Sequence, residues 1–198
     1  MLWHRASGAS APSAGVDMVK VLLVDDEAGV LDTLKVFLER DGKIELDCVP
    51  SADRALEALS AGQYHVVVSD YLMPGMDGIE LLKTLRNTGN NIPFIILTGR
   101  GREDIAIRAL NEGADFYVQK TGDVVPMTSE LRNMIIQSFH RDQAEKAERK
   151  ARERFELFTR GSRDMIYRMQ IKPYPAMEYM SPSVELFVGY TAEDFYKD

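Results

Sequence analysis

Five short apolar runs, each trailed by an amphipathic stretch, constrain this chain more than any other feature. The runs are Val19 to Val24, Ile44 to Val49, His65 to Ser69, Pro93 to Leu97 and Asp115 to Val118. Each is brief and rich in β-branched or aromatic residues, the pattern of buried strands. Four helical faces lie between them: Val30, Leu31, Leu34, Phe37 and Leu38; Ala55, Leu56 and Leu59; Ile79, Leu82 and Leu85; Ile105, Ala106, Ala109 and Leu110. Turns at Asp41-Gly42, Ala61-Gly62, Thr88-Gly89 and Glu112-Gly113 place glycine where helices end. Strands joined through helices run parallel with right-handed crossovers. The expected fold is therefore α/β, a doubly wound (βα)₅ parallel sheet in the order 2-1-3-4-5.

That order gathers chemistry at one edge of the sheet. Asp25, Asp26 and Glu27 follow the first run directly, and Asp70 follows Val66-Val67-Val68-Ser69. Parallel strands release their C-terminal ends side by side, and open α/β sheets bind ligands there. Carboxylates held together repel one another, so the sequence predicts a divalent cation among them, and hard oxygen ligands favour Mg²⁺. An acidic pair at a strand end is commonly a solvated loop. The second strand-end carboxylate and Lys120 after the fifth run turn the reading toward a site. Glu27 reads as a solvent-facing cap of the first helix.

Asp25-Asp26 after strand one, Asp70-Tyr71-Leu72-Met73-Pro74-Gly75-Met76-Asp77-Gly78 at strand three, Thr98 closing strand four and Lys120 closing strand five form one ordered series. With them, the stretch from about Val19 to His140 resembles the receiver domain of two-component response regulators, flavodoxin-like switches phosphorylated on an aspartate. The resemblance implies that Asp70 is the phosphoacceptor, forming an acyl phosphate. It implies Mg²⁺ held by Asp26, Asp70 and the Leu72 backbone carbonyl, with Asp25 acting through a water. Lys120 would neutralise charge on the transferring phosphoryl group and Thr98 would donate its hydroxyl to it. Thr98 and Tyr117 would form the switch, and a histidine kinase or phosphotransfer protein would be the phosphodonor. Thr121 departs from the family, which usually has proline after the lysine. A cis bond before any other residue costs about 2.5 to 4 kcal/mol, so Lys120-Thr121 is expected to be trans. Gly99 leaves the site open, whereas Leu72 offers no group to orient an attacking water. A Mg²⁺-dependent phosphatase of the haloacid dehalogenase type also uses a strand-end aspartate, but wants a second one two residues later, where Leu72 stands. A module that regulates a partner by docking alone is the other alternative.

No apolar run approaches the roughly 20 residues needed to cross a membrane. The net charge of −7 argues against a nucleic-acid partner. Cys48 is the only cysteine, which excludes an internal disulfide and points to the cytoplasm. Residues 1–17 are rich in Ala, Ser, Gly and Pro and are expected to be a disordered leader, with Met18 as the natural start and no role for Trp3 or His4.

The receiver is expected to span residues 18–140, with one helix continuing from Met127 to about Phe158 and residues 141–158 serving as a linker. Ala144, Ala147, Ala151 and Phe158 fit a short heptad seam interrupted by Arg154, which suggests a parallel homodimer through this C-terminal helical extension. His140 lacks the surroundings of a kinase phosphoacceptor, and no nucleotide-binding glycine motif follows it. Asp164-Met165-Ile166-Tyr167-Arg168, Glu178-Tyr179-Met180-Ser181-Pro182-Ser183 and Gly189-Tyr190-Thr191-Ala192-Glu193-Asp194 resemble the opening of a PAS sensor domain. Residues 159–198 cover under half of such a domain, so a truncated PAS segment is expected, and with it the front of a larger signalling protein such as a histidine kinase.

Overall fold

Val19–Val24 is buried along nearly its whole length, a run that only a central parallel strand covered on both faces can accommodate. The computed structural model describes residues 18–99, 103–161 and 164–196. The expected disordered leader, with Trp3 and His4, lies outside the described residues.

The element order is β1 (Val19–Val24), α1 (Ala28–Leu38), β2 (Ile44–Val49), α2 (Ala52–Ala61), β3 (Val66–Asp70), α3 (Gly78–Asn87), β4 (Phe94–Thr98), α4 (Glu103–Asn111), β5 (Phe116–Gln119) and α5 (Val124–Gly161). The five strands are parallel in the order β2-β1-β3-β4-β5, as the alternation predicts. Successive side chains of β1 point to opposite layers. Val21 and Leu23 pack with Leu34 and Leu38 of α1 and Leu131, Ile135 and Phe139 of α5. Leu22 and Val24 pack with Ala55 of α2, Ile79, Leu82 and Leu85 of α3 and Ala109 of α4.

Strands three to five begin and end one residue later than expected. Asp70 is thereby held in the ladder itself, paired with Leu97, rather than in the loop that follows, and Thr98 closes β4 as expected, paired with Gln119. Lys120 falls just past β5 instead of closing it. Helix α5 starts at Val124, ahead of the expected Met127, because Pro126 sits in its first turn, where a missing N–H leaves no bond unmade. It runs past Phe158 to Gly161.

The chain divides into two compact units, residues 1–142 and 143–198. The second holds the later part of α5, an antiparallel hairpin of β6 (Tyr167–Gln170) and β7 (Ala176–Met180), the short helix α6 (Val184–Val188) and a 3-10 turn, Ala192–Tyr196. Its parts are tied by the Phe155–Tyr179 ring contact at 5.0 Å, by the Ile166 N–H donating to Ser181 Oγ at 2.9 Å and by the Ser183 hydroxyl donating to the Asp164 carbonyl at 2.8 Å. Among the described residues no helix is long and apolar enough to cross a membrane.

Candidate functional site

The C-terminal ends of β1, β3, β4 and β5 deliver Asp25, Asp70, Thr98 and Lys120 to one edge of the sheet. The register fixes their spacing: Val24 lies beside Ser69, Asp70 beside Leu97 and Thr98 beside Gln119. Lys120, from the far side of this row, reaches the acids that end the adjacent strands β1 and β3. Its Nζ stands 2.7 Å from Asp25 Oδ2 and 2.7 Å from Asp70 Oδ1. Backbone N–H groups hold the other oxygens, that of Glu27 donating to Asp25 Oδ1 at 2.9 Å and that of Leu72 to Asp70 Oδ2 at 3.0 Å.

Asp25 is fully buried and Asp70 is 6% exposed, so this is a network of charges withdrawn from water. Burial pushes the Asp70 carboxyl above the usual aspartate range. The hydrogen bond and charge of Lys120 offset only part of that rise, and the neighbouring Asp25 adds to it. Burial alone would lower Lys120, but its bonds to Asp25 and Asp70 outweigh it and hold the ammonium above the usual lysine range. Two carboxylates against one ammonium leave the pocket with excess negative charge. The site therefore suits a further cation. Among the described residues no three His, Cys, Asp or Glu side chains stand as a metal-holding group. The donors expected for Mg²⁺ are two carboxylates, Asp26 and Asp70, and the Leu72 carbonyl. A set that sparse fits an ion that keeps several of its waters.

The remaining expected residues are placed as follows. Asp26 is exposed in the turn ahead of α1. Glu27 occupies the N-cap of α1 without a side-chain bond to it. The Thr98 side chain is buried, and its carbonyl accepts from the Lys120 N–H at 2.7 Å, tying the last residue of β4 to the lysine. Tyr117, on β5, is 43% exposed, and the Leu72 side chain is 61% exposed beside Asp70. The one cis peptide bond among the described residues is Lys172-Pro173, so Lys120-Thr121 is trans, as Thr121 predicts.

Gly78 received no role from the sequence, yet it limits the site. A Cβ there would lie 2.3 Å from the Asp70 carbonyl oxygen, so the first residue of α3 rests on the backbone of Asp70. The Gly78 N–H donates to the Tyr71 carbonyl at 3.0 Å, and the Ser69 hydroxyl to the Asp70 carbonyl at 2.9 Å. A capping box fixes the start of α3: Asp77 Oδ1 accepts from the Glu80 N–H at 2.8 Å, and Glu80 Oε2 accepts from the Asp77 N–H at 2.9 Å. The spacing of Asp77 and Glu80 was the available signal.

The family model "Response regulator receiver domain" matches residues 21–132. The Two-component response regulator PhoP of Pseudomonas aeruginosa is 34% identical over 120 residues, covering 61% of this chain and 53% of that protein. Response regulator Rre1 of Synechocystis sp. is 32% identical over 119 residues, covering 59% and 52%. The chain spans about half the length of these curated relatives. The Francisella response regulator 1452 receiver domain superposes with a TM-score of 0.57 at 32% identity, covering 63% of this chain and 98% of that one. A response regulator receiver domain protein from Clostridium thermocellum does so with a TM-score of 0.58 at 30% identity, covering 64% and 98%.

Proposed function

Because the chain belongs to the response regulator receiver family through residues 21–132, we propose that Asp70 accepts a phosphoryl group from a histidine kinase or phosphotransfer protein. The observation that carries this reading is Lys120, whose Nζ stands 2.7 Å from both Asp25 and Asp70 at neighbouring strand ends. A carboxylate oxygen of Asp70 forms the new bond to phosphorus as the donor's bond to phosphorus breaks. The donor keeps that electron pair and takes up a proton. Lys120, held in its ammonium form, meets the charge on the transferring group, and the Leu72 N–H orients the attacking carboxylate. Mg²⁺, when bound by Asp26, Asp70 and the Leu72 carbonyl, with Asp25 reaching it through a water, supplies further neutralising charge. Thr98 then donates its hydroxyl to a phosphoryl oxygen, and Tyr117 changes rotamer in response.

The signal leaves through α5. Residues 143–158 continue α5 beyond its packed part and, apart from Phe155 against Tyr179, present their side chains to solvent. This favours pairing with a second copy along Ala144, Ala147, Ala151 and Phe158. The β6–β7 hairpin followed by α6 supports reading residues 159–198 as the opening of a PAS sensor, and the whole as the front of a PAS-containing histidine kinase. The lone cysteine, Cys48, favours a cytoplasmic setting.

The reading is tested with acetyl phosphate and Mg²⁺. Intact-mass analysis is expected to find one acid-labile phosphate, mapped to Asp70 and absent from Asp70→Asn. Incorporation by Asp70→Asn at the parental level would overturn the assignment.

A further inference from the structure

Strand β2 is an outer strand of the sheet, and β1 is its one partner among the described residues. Its six residues are long enough to template another strand, whereas the opposite edge, β5, has four. Short edges blunt themselves and longer ones need cover. The Val19 N–H donates to the Lys43 carbonyl and the Asp25 N–H to the Val49 carbonyl. In a parallel strand the N–H and C=O of one residue point to the same side, and the side alternates along the chain. Residues 45, 47 and 49 therefore face β1. Ile44, Leu46 and Cys48 present their backbone to the free side.

The central one of these three is engaged at both groups. The Leu46 N–H donates to Glu39 Oε1 at 2.8 Å, and the Leu46 carbonyl accepts from Lys35 Nζ at 3.1 Å. Lys35 lies in the last turn of α1 and Glu39 is its C-cap, one turn further on. One helix end thus supplies an acceptor and a donor in place of those a neighbouring strand would bring. A second charge effect acts in the same direction. If a second copy laid its own β2 antiparallel with Leu46 on the two-fold axis, Glu45 of each chain would meet Asp47 of the other; like charges directly opposite are unfavourable, an effect softened here by Lys20, which pairs with Asp47 at 3.0 Å.

We infer that Lys35 and Glu39 seal the free edge of β2 against strand addition by a second copy of this chain, with Glu45 as a supporting repulsive charge. The occupant that the seal excludes is another β2, because the outward groups of Ile44, Leu46 and Cys48 are self-complementary about a two-fold axis.

The test is amide exchange and solution mass of the full chain carrying Lys35→Ala, Glu39→Ala and Glu45→Thr together. In dilute solution the Leu46 amide is expected to exchange about tenfold faster or more, the loss of one charge-assisted hydrogen bond. On concentrating, Ile44, Leu46 and Cys48 should become protected together as the average mass rises above that of the parent. Glu39→Gln, which keeps an acceptor oxygen, should behave as the parent. Unchanged exchange at Leu46 in a variant whose β3 and β4 amides keep parental protection would overturn the inference. So would an opened edge that gains neither protection nor mass on concentrating. If the triple variant loses its fold, the Leu46 amide in Glu39→Ala, compared with Glu39→Gln, decides the same question.

Discussion

At Asp70, burial disfavours the charged form, so the native state holds a proton more tightly than the unfolded chain does. The group therefore favours folding most at acid pH. That contribution falls as pH rises from the ordinary aspartate range through the raised native value. Asp70→Asn removes this titration, and its thermal stability should gain on the parent as pH rises across that window. Melting curves of both proteins at a series of pH values check it, and a variant that loses ground to the parent as pH rises would contradict it. Gly78 makes a different prediction. Its missing side chain leaves room for the Asp70 carbonyl, which backbone cannot yield to a Cβ at 2.3 Å. Gly78→Ala is expected to cost about 1 to 3 kcal/mol in urea unfolding and to slow phosphate incorporation, because α3 and Asp70 must part.

Helix α5 shows how an element is fastened. Arg132 donates to the Phe37 and Leu38 carbonyls at 2.8 Å each and pairs with Asp41, capping the C-terminal end of α1. Arg141 pairs with Asp115 at the entry to β5. Between them, the Ser138 hydroxyl is fully buried and has no hydrogen-bond partner among the described residues. Ser138→Ala should stabilise the protein by about 1 kcal/mol, seen as a higher urea midpoint, since it removes a desolvated polar group without opening a large cavity. The elements themselves were readable from apolar periodicity, because the central strands β1, β3 and β4 are covered on two faces and read as continuous apolar runs. Their ends were less so. Whether Asp70 closes β3 or opens the next loop depends on its pairing with Leu97, a contact between residues far apart in sequence.

For the molecule as a whole, the sequence placed Asp25, Asp70, Thr98 and Lys120 at strand ends of one sheet but did not tell how they meet. Asp25 was expected to reach a metal through a water; its shortest described side-chain bond is the direct one to Lys120. That partnership has no local signal. The proposed pairing of α5 with a second copy is tested by single cysteines placed from Ala144 to Ala151 in a Cys48→Ser background. Symmetric crosslinks whose yields change on phosphorylation are expected. Their absence in both states, with a monomeric mass, would leave the segment a solvated tether.

The Asp25–Lys120 bond spans 95 positions of sequence. During synthesis on a ribosome, β1 therefore emerges with its apolar Val21-Leu22-Leu23-Val24 uncovered long before Lys120 exists. One of its layers waits longer still, for Phe139 of α5. The proposed phosphate-accepting network of Asp25, Asp70 and Lys120 is consequently among the last parts of the receiver to be completed. A chain released early presents apolar β1 surface and unneutralised acid, whereas the network of Asp25, Asp70 and Lys120 requires that β5 has already emerged.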